Sequence, residues 1–315
     1  MTGQPVRLEP SSGQDVSWKG YVAAAPTPFD RDGILDTARL REVLAWFQDQ
    51  GAHGVVVNGT TGEWVAQTVE ERKTVVEIAR DAVGPHTPLL VGIGSMLPED
   101  SVTLGRHAAS VGVDGALLTI PVSRWLRDDE IVDFYRETAR RIPLPLVVYN
   151  VPVVTGYDLP TELLTRLLEI DGIVGVKDNT PSSDRRVATL RALGGDHAIF
   201  SDVLEPLSFP VFADEGLGRG QIGSGMPLGR RMADAFEMVW AGDIEQARDL
   251  VDDLTAFKSA VVEVLGPRQP WHAQSKALMV AAGVDAGYPR FPTRSIRDDG
   301  PAMARLETLV RRYSG

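Results

Sequence analysis

The sequence predicts an α/β fold, a (β/α)8 TIM barrel followed by a C-terminal helical region. Three observations predict it. Short runs rich in valine, isoleucine and leucine alternate with amphipathic stretches, and the alternation reaches eight units by about residue 242. The runs carry no polar interruption, as expected of parallel strands covered by helices outside and filled by side chains inside. The units also repeat evenly, without the long break that divides an open doubly wound sheet into halves, which favours closure.

The first six units are clear. YVAAAP precedes TARLREVLAWFQDQG, GVVVNG precedes TVEERKTVVEIARDAVG, and PLLVGIG precedes EDSVTLGRHAASVG. GALLTIP then leads to DDEIVDFYRETARR, LVVYNVP to PTELLTRLLEI, and IVGVKDN to SSDRRVATLRALG. Two fainter units follow, HAIFSD with LEPLSFPVFADEG and GQIGSGM with PLGRRMADAFEMVWAG. Residues 1–17 are polar, without an apolar period, and read as a mobile tail. The barrel is expected over 18–242. Over 243–315 strands cease, and IEQARDLVDDLTAFKSAVVEVLG, WHAQSKALMVAAG and PAMARLETLVRRYS read as helices packed on the barrel, their apolar stripes suited to a subunit interface.

Composition narrows the function. With 43 acidic against 32 basic residues the net charge is −11, which argues against nucleic-acid or anionic-membrane partners. No cysteine is present, which removes disulfides, thiol nucleophiles and iron–sulfur clusters. No run approaches the roughly 20 apolar residues of a membrane span, and the N-terminus lacks a signal-peptide core, so a cytoplasmic location is expected. The five histidines show neither i,i+4 pairing nor a carboxylate-rich cluster, so no metal is expected.

In such a barrel the chemistry sits at the C-terminal ends of the strands. Lys177 closes the apolar run Ile173-Val174-Gly175-Val176, a costly place for an ammonium and a suitable one for an amine that attacks a carbonyl. Asp178 should point to the other side, because side chains alternate along a strand. A structural lysine with its stem on the rim is the plainer alternative. Tyr149 lies at matching height on the preceding strand, where a phenol can relay protons or simply bury its ring. Gly59-Thr60-Thr61-Gly62 offers hydroxyls and free amides in one tight turn, an anion nest aided by the positive end of the following helix, or a plain turn whose threonine caps that helix. Glu63 and Trp64 either face the pocket or shore up this loop. Gly218-Arg219-Gly220-Gln221-Ile222-Gly223 fits G-x-G-x-x-G but runs into a strand instead of following one, so no dinucleotide cofactor is expected. Its glycines suit close strand approach, with Ser224 and Gly225 near the mouth.

Taken together, NGTTGE, YNVP, GVKDNT and the opening APTPFDRDGILD resemble the dihydrodipicolinate synthase and N-acetylneuraminate lyase superfamily over about residues 18–285. The resemblance implies a barrel with C-terminal helices, a homotetramer, and a class I aldolase mechanism without metal or cofactor. It matches Lys177 to the Schiff-base lysine, Tyr149 to the proton-relaying tyrosine, and Thr60 and Thr61 to the residues binding the 2-oxo-acid carboxylate. Thr60 thereby joins Lys177 and Tyr149 as a candidate catalytic residue, with Gly59 and Ser224 as further substrate contacts.

Two positions depart from the pattern. YNVPVVTG places Val154 where an arginine usually grips the second substrate's carboxylate, and LLTIPVSRWL places Pro121 and Val122 where a tyrosine pair is usual. Arg124 and Trp125 lie close by as candidate replacements. The resulting expectation is a lyase that holds pyruvate or another 2-oxo acid as an imine, with a rebuilt second-substrate pocket. The alternatives are an authentic 4-hydroxy-tetrahydrodipicolinate synthase, an aldolase or dehydratase for a 2-keto-3-deoxy sugar acid, and a non-catalytic barrel that binds a 2-oxo acid.

Overall fold

The structure, a computed structural model, describes residues 16–122, 125–223 and 227–314. In chain order, β1 (Gly20–Ala24), α1 (Thr37–Asp49), β2 (Gly54–Val57), α2 (Val69–Val83), β3 (Leu89–Gly92), α3 (Pro98–Val111), β4 (Gly115–Leu118) and α4 (Asp128–Arg141) form the first half. The second half comprises β5 (Leu146–Asn150), the one-turn α5 (Pro152–Thr155), α6 (Thr161–Leu168), β6 (Ile173–Asp178), α7 (Ser183–Leu193), β7 (Ala198–Ser201), the short α8 (Phe209–Ala213), β8 (Gly220–Gly223) and α9 (Arg231–Ala241). The eight strands pair in parallel in sequence order, and β1 pairs with β8 to close the barrel.

Alternation along each strand explains why the strand sequences are apolar throughout. Val22, Val56, Leu90, Leu117, Val147 and Phe200 pack together inside the barrel, while their neighbours Tyr21, Val55, Leu89, Ala116, Val148 and Ile199 join the layer shared with the helices. In α1 the buried set Leu40, Val43, Leu44 and Phe47 follows helical spacing, and the Asp36 side chain accepts from the backbone N–H of Arg39 at its start.

The fold starts inside the segment read as a tail. Val16 is buried with the interior cluster, and Trp18 covers the strand-start end of the barrel. Gly115 makes room for it: a Cβ there would lie 2.1 Å from the Trp18 ring. Residues 1–15 lie outside the described residues.

The C-terminal region forms α10 (Ile244–Leu265), α11 (Trp271–Ala281) and α12 (Gly300–Tyr313), the three segments the periodicity predicts. Helix α10 packs against α9 and α12, burying Leu250, Val251, Leu254, Phe257 and Val261. Among the described residues no helix is long and apolar enough to cross a membrane. The glycine-rich stretch enters β8 directly, and at Gly220 a Cβ would meet the Gly20 carbonyl oxygen at 2.1 Å. Close strand approach accounts for that glycine.

Candidate active site

Strand register brings the first two candidates together. Between β5 and β6 the pairing skips Val174, a bulge after which Tyr149 stands opposite Lys177 and Asn150 opposite Asp178. Lys177 is 4% exposed, and its Nζ lies 3.9 Å from the centroid of the Tyr149 ring. The aromatic face attracts a cation there and also shields the amine from bulk water. Asp178 points the other way, as alternation requires: Asn150 Nδ2 donates to its Oδ1 at 2.8 Å and the Thr180 N–H donates at 3.2 Å. Burial pushes the Asp178 carboxyl above its usual range against these hydrogen bonds. Its charge therefore does not tie up Lys177.

The β2 turn completes the group. The Tyr149 hydroxyl lies 3.4 Å from Thr60 Oγ1, and Thr60, Thr61, Tyr149 and Lys177 all line one cavity of about 520 Å³ at the strand-end mouth. Gly59 is not among the lining residues, although a Cβ there would meet nothing within 4 Å. Ser224 and Arg124 lie outside the described residues.

The turn is held from behind. Asn58 and Glu63 both take left-handed backbone conformations, with φ of 55° and 56°, which only a well-supported turn keeps in residues with a Cβ. Asn58 Nδ2 donates to the Arg72 carbonyl at 2.9 Å, and Arg72 in turn donates to Gly92 O and Gly94 O at 2.8 and 3.0 Å, with Trp64 beside its guanidinium. The Glu63 carboxylate, 2% exposed, accepts from the buried Lys276 ammonium of α11 and from the backbone N–H of Arg290 at 2.9 Å. Burial draws Lys276 down to about 8, against the opposing pull of Glu63. Glu63 and Trp64 thus shore up the loop and are not among the residues lining the cavity.

One expectation is corrected. A 3-10 turn, Trp64–Ala66, separates the threonines from α2. Helix α2 is capped by Thr68, whose Oγ1 accepts from Glu71 N while Glu71 Oε2 accepts from Thr68 N. The 3-10 turn and Thr68 stand between the two threonines and the helix, and neither threonine is its cap.

The departures from the family pattern also have places. Val154 packs against the interior cluster from α5, while its neighbour Val153 lines the cavity. Pro121 and Val122 do not line it, and Trp125 is 99% exposed and away from it. Trp125 is thus no substitute contact in this arrangement.

Sequence reasoning missed the far wall. Asp202, immediately after β7, Gln221 of β8 and Lys258 of α10 line the cavity, together with Pro267, Gln269 and Trp271 from the C-terminal region. Asp202 carried a usable signal, because it follows an apolar strand as Lys177 ends one. Lys258 carried none, because its helical spacing reads as an ordinary exposed face.

The comparisons agree with this architecture. The sequence pattern of the Dihydrodipicolinate synthetase family matches residues 17–307. An uncharacterized DapA-like lyase of Halobacterium salinarum is 33% identical, with 95% of each chain covered. A 4-hydroxy-tetrahydrodipicolinate synthase of Acidiphilium cryptum is 30% identical over 91% of this chain and 96% of its own. Among solved structures, dihydrodipicolinate synthase of Aquifex aeolicus superposes with a TM-score of 0.80 at 25% identity, covering 94% of this chain and 98% of its own. A prophage protein of the dihydrodipicolinic acid synthase family from E. coli K12, solved in complex with pyruvate, shares the fold with a TM-score of 0.83 at 22% identity, covering 95% and 99%. The barrel, the strand-end lysine and the matching length lead to one conclusion: this chain belongs to the dihydrodipicolinate synthetase family and is a lyase of that family.

Proposed function

We propose that Lys177 forms a Schiff base with pyruvate or a closely related 2-oxo acid, and that the enzyme makes or breaks a bond at the adjacent carbon. The observation that carries this reading is the shared cavity: a buried amine at 3.9 Å from a tyrosine ring, whose hydroxyl in turn reaches the β2 turn. Thr60 and Thr61 hold the carboxylate, Lys177 attacks the ketone carbon, and Tyr149 moves protons on and off the carbinolamine oxygen. The complex of pyruvate with the E. coli family member supports the choice of acid. The protein works as a homotetramer in the cytoplasm, and the domain organisation is a short N-terminal tail, a barrel and an appended helical region that supplies one wall of the site.

Exchange of the pyruvate methyl protons in D2O tests the reading, because an imine on Lys177 opens the way to the enamine. The wild-type enzyme is expected to exchange them and Lys177→Met to show only the background rate. Equal exchange by the two proteins would refute the assignment.

A further inference from the structure

The carboxylate turn and the imine nitrogen fix which way the substrate's reacting carbon faces. Thr60 and Thr61 follow β2 and Lys177 ends β6, four strands apart and hence across the barrel from one another. A 2-oxo acid bridging them has its third substituent, the carbon that becomes nucleophilic, directed to one side of that line. On the β5 side stands Tyr149, with its hydroxyl turned to Thr60. The cavity extends the other way, between β7, β8 and α10, where Asp202, Gln221 and Lys258 line it. The register places Asp202 there: Phe200 pairs with Lys177 and packs inside the barrel, and Asp202 follows two residues later on the same side.

Among the described residues, Asp202 is the carboxylate on this wall without an ion pair. Its neighbour Glu205 is committed to two cations, Arg186 of α7 and Lys258 of α10 at 2.9 Å. Asp202 receives one amide donor, Gln221 Nε2 at 3.2 Å, and that amide is fixed in turn by the Leu204 N–H at 3.4 Å. Burial pushes its carboxyl up, while Lys258, Arg186 and Lys177 pull it down and Glu205 adds to the rise. These opposing effects suit a group that gains and loses a proton during turnover.

We infer that Asp202 is a second acid–base catalytic residue, facing Tyr149 across the imine and serving the carbon next to it. The inference rests on the Schiff-base reading above. In the forward direction the Asp202 carboxylate takes a proton from that carbon. The C–H electron pair becomes the new C=C bond, and the C=N pair returns to nitrogen, leaving a neutral enamine. When the enamine attacks an aldehyde, the protonated Asp202 returns its proton to the acceptor oxygen as the C–C bond forms, and the iminium is regenerated. The proton balance closes without a tyrosine at Val122.

Two readouts on Asp202→Asn separate this role from the Schiff base and from simple structural support. Borohydride trapping of pyruvate should match wild type, while exchange of the methyl protons should fall by about 10²- to 10⁴-fold, the usual worth of general acid–base catalysis. Asp202→Glu should recover part of the exchange. The acid limb of the wild-type exchange profile should be absent from Asp202→Asn, and Gln221→Met, which removes the amide donor from the carboxylate, should move that limb to higher pH. Exchange by Asp202→Asn within about threefold of wild type, or an acid limb unmoved in Gln221→Met, would overturn the inference. Should Asp202→Asn fail to fold, Gln221→Met alone decides. Failure of the wild-type protein to trap pyruvate at all would instead remove the Schiff-base reading beneath it.

Discussion

Lys177 and Tyr149 are legible in sequence because each ends an apolar strand, and strand ends carry the chemistry of a barrel. The bulge at Val174 that sets them opposite one another is not legible, since an extra residue in a parallel pair leaves no compositional mark. Val154 is informative as a loss. It stands where the family resemblance places an arginine, and it turns into the interior cluster instead of the cavity. A lost charge-assisted hydrogen bond to a substrate carboxylate costs about 1.5–3 kcal/mol, or roughly 10- to 150-fold in binding. The enzyme is therefore expected to be a poor condenser of pyruvate with aspartate semialdehyde. A coupled assay checks this: turnover in the ordinary enzyme range of about 1–10³ per second would show that another group replaces the arginine.

At the scale of elements, the β2 turn is built by contacts that no local reading foresees. Glu63 and Lys276 are 213 residues apart, and their buried pair ties the turn to α11. The short helix α5 was also hidden, because four residues cannot display a helical period. Arg290 reinforces the same corner, donating to Glu71 at 2.6 and 2.9 Å and to the Ala66 carbonyl at 2.6 Å. Its hydrogen bonds are the main reason that Glu71 falls from its ordinary 4.5 to about 2. A folded-state value below the unfolded one means that ionised Glu71 stabilises the fold. That contribution is complete above about pH 4.5 and is lost as pH falls towards 2. Discounted for partial exposure, it is worth about 1–2 kcal/mol. Urea unfolding of Glu71→Gln should show a deficit of that size at pH 7 that closes between pH 4.5 and 2. A deficit independent of pH would mean that packing, not charge, ties Arg290 in place.

For the whole molecule, the eightfold rhythm favoured the closed barrel that the strands form, through its even spacing, although an open doubly wound sheet shares the same local pattern of strands buried on both faces. The far side of the cavity was not foreseen, because it comes from α10, α11 and the loop between them folding back over the β7–β8 mouth. Assembly belongs to this scale. Trp125, Met96 and Leu97, in the loops after β4 and β3, are exposed apolar side chains at 99%, 62% and 59%, and an assembly that covered them would remove apolar surface from water. Light scattering at micromolar concentration should give a tetramer. A monomer would contradict the proposed assembly, and a dimer its tetrameric form.

The central claim is a covalent one, that a single lysine carries the substrate. The measurement that meets it most directly is incubation with pyruvate and borohydride, followed by peptide mass mapping. A reduced pyruvate adduct on Lys177, absent from Lys177→Ala, is the predicted result. An adduct on another lysine, or none with any 2-oxo acid, would contradict it.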